Sequence, residues 1–196
     1  MFDWHLMLGI VSGMIALLAI IPYVKDILYG TTRPNIFSWS LWVFLLLISL
    51  LAQLSAGASW SIIFLLGDLI GTSIVLVLSI VGYGYGKYGW IEWICLTLAV
   101  VAIISWQATS QPLLAIIFAA LADLMASIPT IVKSFKDPWS EDPPQFLLIA
   151  FASLLGIISS TILDPANLVF PLYLLLVNGT IGIIALIGRR LKQKHA

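Results

Sequence analysis

Charge is what this chain most conspicuously lacks. Only 9% of its 196 residues are Asp, Glu, Lys or Arg, where a soluble domain carries roughly 25%. So few charges cannot wet the surface of a globular domain, which leaves a lipid bilayer as the surrounding medium. Net charge is zero and no block of like charge is long enough to grip a nucleic acid. Cys95 is the single cysteine and lies in an apolar run, so neither a disulfide framework nor a Cys-based metal site is available. The two histidines, His5 and His195, stand at opposite termini, which removes a His-based metal site or catalytic base. No lysine falls between Leu168 and Ile187, so a retinal Schiff base on the last helix is excluded. An intramembrane aspartyl protease would carry Gly-x-Gly-Asp, but Leu65 stands where the first glycine should be. Neither an enzyme nor a bound cofactor is expected. The opening MFDWHLML has an acid and no Lys or Arg ahead of its apolar run, which predicts a retained first helix rather than a cleaved signal.

What is present is apolar length. The chain is 61% hydrophobic, with a mean hydropathy of +1.10. Long continuous runs point to helices; a membrane barrel would alternate over ten-residue segments instead. Seven stretches are long enough to cross a core of about 30 Å. They are His5–Val24, Ile36–Ser55, Trp60–Tyr83, Trp90–Trp106, Leu113–Val132, Phe146–Leu163 and Leu168–Ile187. If all seven cross, every one of the 9 Lys and Arg residues falls on one face, and the other face carries only acids such as Asp3 and Asp164. The positive-inside rule then places the C-terminus in the cytoplasm and the N-terminus outside, in a bacterial inner membrane or another plasma membrane.

The stretch Ile20 to Trp42, IIPYVKDILYGTTRPNIFSWSLW, is echoed by Ser127 to Ile149, SIPTIVKSFKDPWSEDPPQFLLI. Ile21-Pro22 answers to Ile128-Pro129, and Pro34 to Pro144, with three extra residues expected in the second turn. On that register Asp68 meets Asn178, Ala16 meets Asp123 and Trp42 meets Ala152. The expected fold is all-α: seven transmembrane helices as two parallel triple-helix bundles joined by a linker helix. Residues 1–86 form the first bundle, 87–111 the linker, and 112–196 the second bundle with its basic cytoplasmic tail. Parallel repeats of this kind occur in transporters, with the substrate near mid-membrane between the halves.

Polar residues inside such helices are the candidate site. A charged side chain at the bilayer centre costs about 2.5–3.5 kcal/mol on insertion scales, so Asp68 and Asp123 should face a bundle interior or a wet cavity. Asp68 and Asn178 are the expected substrate contacts, Asn178 because its amide both donates and accepts. For both, interhelical hydrogen bonding is the alternative role. Asp123 is a candidate for proton coupling or for a counter-ion to a cationic substrate, with a neutral buried acid bonded to a Ser or Trp as the alternative role. Pro22 and Pro129 each remove a backbone hydrogen bond and are candidate hinges, although transmembrane helices also tolerate proline for packing alone. Of Trp39 and Trp42, one lines the cavity and the other anchors at the interface, with Trp42 the candidate for stacking on substrate.

Pro22 and Pro129 with their polar turns, the pair Asp68 and Asn178, and the three-one-three helix order give a chain that resembles the SWEET and PQ-loop superfamily. The resemblance spans nearly the whole chain as topology. It implies two bundles that open alternately to each side. It also implies substrate contacts at Asp68 and Asn178, hinges at Pro22 and Pro129, and an aromatic cover at Trp42. The chain departs from the family's pattern where Tyr23 and Thr130 replace the glutamine of the PQ motif, and where Asp68 and Asp123 bring in acids. Those acids favour a proton-coupled or cation carrier, or a vitamin carrier similar to the nicotinamide riboside transporters, over a plain sugar uniporter. The partners expected are a polar small molecule (a sugar, amino acid or vitamin), the lipid bilayer, no nucleic acid, and a second copy of the chain if it oligomerises. A membrane scaffold or assembly protein that does not transport is the competing class.

Overall fold

A computed structural model of the chain describes residues 3–30, 33–86, 89–139 and 142–194, without the side chains of Ile91, Glu92, Pro129, Lys133 and Lys194. Among the described residues the regular structure is helical, apart from one isolated bridge: α1 (Trp4–Ala19), α2 (Ile21–Leu28), α3 (Ile36–Ser55), α4 (Ile62–Leu78), α5 (Trp90–Thr109), α6 (Pro112–Lys136), α7 (Pro143–Ser159) and α8 (Pro165–Lys194). Among the described residues, five spans are long and apolar enough to cross a membrane, and two shorter apolar helical stretches, Trp93–Thr109 and Pro143–Ser159, accompany them. The protein is a multi-pass membrane protein.

Local chemistry sets the helix limits. The Asp3 carboxylate accepts from the backbone N–H of His5 and Leu6 and starts α1, and the Asn35 side chain caps α3 through Phe37 N–H. α7 opens on Pro143, which suits the first turn because its missing N–H has no partner there anyway. α1 and α2 form one span interrupted at Ile20, two residues before Pro22, whose ring removes a donor from the ladder. α6, which contains Pro129, runs unbroken from Pro112 to Lys136; the Pro129 side chain lies outside the described residues. Lys87 of the predicted basic face also lies outside them.

The sixth expected stretch is displaced. α7 starts at Pro143 and ends at Ser159, so Ser160–Asp164 is a turn where Phe146–Leu163 predicted helix. Apolar Ile162 and Leu163 are exposed there, and hydropathy alone could not tell them from helix. α4 is followed by a π-helical turn, Ser79–Tyr83, closed by Gly82 at φ 119°. The chain then doubles back: Tyr85 N–H donates to the Pro34 carbonyl, and Ile36 N–H to the Tyr85 carbonyl. The Gly- and Tyr-rich connection therefore docks on the turn before α3.

α1 packs on α4 and α7, α3 on α4 and α6, α8 on α6 and α7, and α5 covers α6 and part of α3. Small residues set how close these helices come. A Cβ at Gly67 of α4 would overlap the Gly13 carbonyl of α1, and one at Gly156 of α7 would sit 2.9 Å from Phe64 Cβ. Ser12 Oγ donates to the Ala152 carbonyl at 2.6 Å across the α1–α7 seam. Such contact between small residues is how helices associate in lipid, where there is no hydrophobic drive between them.

Gly67→Ala is expected to lower stability by about 1–3 kcal/mol, the usual cost of overpacking. Gly179→Ala, whose Cβ would meet only Ala150 Cβ at 3.9 Å, should leave it nearly unchanged. Thermal denaturation of the detergent-solubilised protein followed by size-exclusion chromatography checks both.

Candidate functional site

The bundle encloses a cavity of about 620 Å³ that reaches from mid-membrane to one end of the molecule. Asp68 (α4), Asp123 (α6) and Asn178 (α8) lie in its inner part, with Phe170 and Leu174 beside them. Tyr23, Trp39 and Trp42 form one wall, and Asp26, Arg33, Tyr85, Trp139, Asp142 and Arg189 stand around the mouth. Asp68, Asp123, Asn178 and Trp42 thus share one cavity. Trp39 does too, and it does not anchor at the interface. Trp39 and Trp42 pack edge to face with centroids 5.1 Å apart, and Tyr23 lies 5.2 Å from Trp39. Pro22 is exposed on the outer side of α2 and bends the span without touching the cavity.

The polar groups are held differently. Asp123 is buried, and its Oδ2 accepts a 2.6 Å hydrogen bond from Tyr173 of α8. Asp68 is partly exposed to the cavity and makes no hydrogen bond among the described residues. Asn178 donates its amide to the Leu174 carbonyl at 3.0 Å, which leaves the side-chain carbonyl as an acceptor. Tyr173 was not singled out from the sequence. Its position five residues before Asn178 in an apolar run gave no signal.

The lining positions fall in pairs. Ala16, Ile20 and Tyr23 correspond to Asp123, Ser127 and Thr130, and Asn35, Ser38, Trp39 and Trp42 to Asp142, Gln145, Phe146 and Ile149, all at a separation of 107 residues. Asp68 and Gly71 correspond to Asn178 and Ile181 at 110. This corrects the expected register. Ile149, not Ala152, stands opposite Trp42, and the three extra residues fall after Ile149 instead of in the polar turn. Ala152 is buried against α1, where Ser12 bonds its carbonyl. The prolines misled the alignment because Pro34 precedes the α3 cap whereas Pro144 lies inside the first turn of α7.

At the mouth, burial raises the Asp142 carboxyl above its usual range, the Arg189 guanidinium pulls it down, and Asp26 across the opening raises it again. Arg189 is held by its own bonds: Nε donates to the Pro138 carbonyl at 2.9 Å, and the guanidinium lies 4.9 Å from the Trp139 ring centre.

The opposite end of the cavity is shut. Thr161 N–H donates to Ser59 Oγ at 2.7 Å, and buried Asn167 accepts from Ser59 N–H and donates to the Gly57 carbonyl, both at 3.4 Å. These bonds tie the α3–α4 turn to the α7–α8 turn. Beyond Leu45 and Leu46, the cavity-facing stripe of α3 continues through Ser49 to Gln53, at helical spacing. Both are fully buried, and among the described residues Ser49 Oγ and both polar atoms of Gln53 have no hydrogen-bond partner. Orphaned polar groups at this depth are uncommon, since each loses its water without replacement. The chain matches no protein-family model, no curated protein and no solved structure.

Tyr173→Phe should destabilise the fold by about 1–3 kcal/mol, because it leaves a buried carboxyl oxygen unpartnered. Adding Asp123→Leu to that variant should recover part of the loss. A double-mutant cycle on thermal stability in detergent reads the coupling.

Proposed function

We propose that this protein is a transporter of the inner or plasma membrane, and not an enzyme. It moves a polar small molecule by alternating access between two triple-helix bundles. One bundle is α1–α2, α3 and α4; the other is α6, α7 and α8, with α5 as the linker. The observation that carries this reading is the polar cavity at mid-membrane, reachable from one end and shut at the other by the Ser59, Thr161 and Asn167 bonds. Neighbour relations support the two-bundle division: α1 on α4 answers to α6 on α8, α3 on α4 to α7 on α8, and α1 on α7 to α6 on α3. This is the arrangement that two parallel repeats related by an axis along the membrane normal would produce, and it keeps the SWEET and PQ-loop resemblance as the working family.

Asp68 and Asn178 contact the substrate, Trp42 covers it, Asp123 tunes charge or proton binding, and Pro22 and Pro129 let the first helix of each bundle bend. The basic end faces the cytoplasm by the positive-inside rule, so the state described is open inward. Gln53 and Ser49 favour transport over scaffolding. Polar side chains stranded without partners suit a surface that meets water in the outward-open state, and they serve no purpose in a rigid bundle.

Counterflow of labelled hexoses, nucleosides, amino acids and organic cations into proteoliposomes tests the reading. Saturable flux should be lost in Asn178→Ala at equal reconstituted amounts. Gln53→Met should raise thermal stability by about 1 kcal/mol or more, since it removes an unsatisfied buried amide, and should slow flux. Wild-type protein that gives no flux for any member of the panel, with Asn178→Ala merely lowering yield, would point to the scaffold instead.

A further inference from the structure

The inner part of the cavity is rich in acceptors and poor in donors. The Asp68 carboxylate has no hydrogen-bond partner among the described residues, one Asp123 oxygen remains outside the Tyr173 bond, and one of the two N–H groups of the Asn178 amide is engaged with the Leu174 carbonyl, leaving the other as a donor. The hydroxyls of Thr72 and Ser127 are the neighbouring donors along the lining. The described cationic lining residues, Arg33 and Arg189, stand at the mouth. Arg189 lies eleven residues beyond Asn178 along α8, about 16 Å at helical rise, and is engaged by Pro138 and Trp139.

A ligand seated among these groups must supply hydrogens and positive charge. A sugar brings as many acceptors as donors, and its oxygens would compete for the few donors at Asn178, Thr72 and Ser127 while the carboxylate oxygens of Asp68 and Asp123 compete for its hydroxyls. An anion would find no positive charge beside it here, since Arg33 and Arg189 stand at the mouth, and would meet acidic side chains in a medium of low dielectric. The wall of Tyr23, Trp39 and Trp42 adds aromatic faces, which attract a cation through the ring quadrupole. The cavity volume of about 620 Å³ suits a small organic molecule.

We propose that the substrate of this site is an organic cation, a protonated amine or quaternary ammonium on a flat apolar body, with Asp68 as its ion-pair partner. The proposal rests on the transport reading for its direction of use but concerns binding alone. Asp68 takes the cation because its oxygens are free, whereas Asp123, fixed by Tyr173, holds the shape and charge of the floor.

The test is quenching of tryptophan fluorescence in the purified full chain, titrated with phenethylamine, 2-phenylethanol and phenylacetate, three probes of one shape and different charge. Only phenethylamine should quench saturably. Asp68→Asn should weaken it about tenfold or more, as loss of a buried ion-pair partner does, and Asp68→Glu should keep it, with monodispersity on size exclusion confirming that both variants fold. Equal binding of the neutral or anionic probe, unchanged affinity in Asp68→Asn, or no binding of the amine by well-folded protein would overturn the proposal. Saturable hexose counterflow alongside any of those results would keep the transporter and discard the cation. Cation binding without flux of phenethylamine or any other solute would keep the site and discard transport.

Discussion

Two carboxyl groups, Asp68 and Asp123, sit on helices whose other neighbours are almost all hydrocarbon. Lipid offers such a group neither hydrogen bonds nor a high dielectric, so a fold that keeps both must turn them inward and give them polar surroundings. Much of the architecture follows from that constraint. α4 and α6 present Asp68 and Asp123 to one shared space, α8 brings Asn178 and the Tyr173 hydroxyl to meet them, and the aromatic side of α3 closes the wall. The cavity is the polar solvent that the bilayer withholds.

A cavity of this kind weakens a membrane bundle, because helices that surround water do not pack on each other. The compensation lies at the shut end and along two tight seams. Gly13 against Gly67 and Gly156 against Phe64 bring α1, α4 and α7 into backbone-distance contact, and the Ser59, Thr161 and Asn167 bonds tie two turns together. These bonds are short in reach and involve few residues. They can be exchanged for water at modest cost. The buried, unpartnered Gln53 and Ser49 above them mark the same region as less than optimally satisfied.

The paired lining positions show where the halves differ. Asp123 faces Ala16, Trp42 faces Ile149 and Asp68 faces Asn178. At each of these three pairs the two halves differ in charge or in size. One consequence is a floor with two acids, while aromatic rings line both halves, Tyr23, Trp39 and Trp42 in the first and Phe146 and Phe170 in the second. The bend at Ile20 in the first half, against an unbroken α6 in the second, extends the asymmetry to the backbone.

The sequence by itself determined the surrounding medium and the number of apolar helices, and it supplied the expected basic face and the candidates Asp68, Asp123, Asn178 and Trp42. These follow from hydropathy, charge placement and the cost of an acid in hydrocarbon, all of which are properties of a residue and its near neighbours. Tertiary structure decided the rest. That Tyr173 holds Asp123, that Trp39 lines the cavity, that Ile149 and not Ala152 stands opposite Trp42, and that Gln53 is stranded all depend on which helix lies beside which. Within an apolar helix every face looks alike to hydropathy, so rotation about the helix axis is set only by packing against neighbours. Residues more than a hundred positions apart, such as Ser12 and Ala152 or Ser59 and Asn167, meet only once that packing is in place.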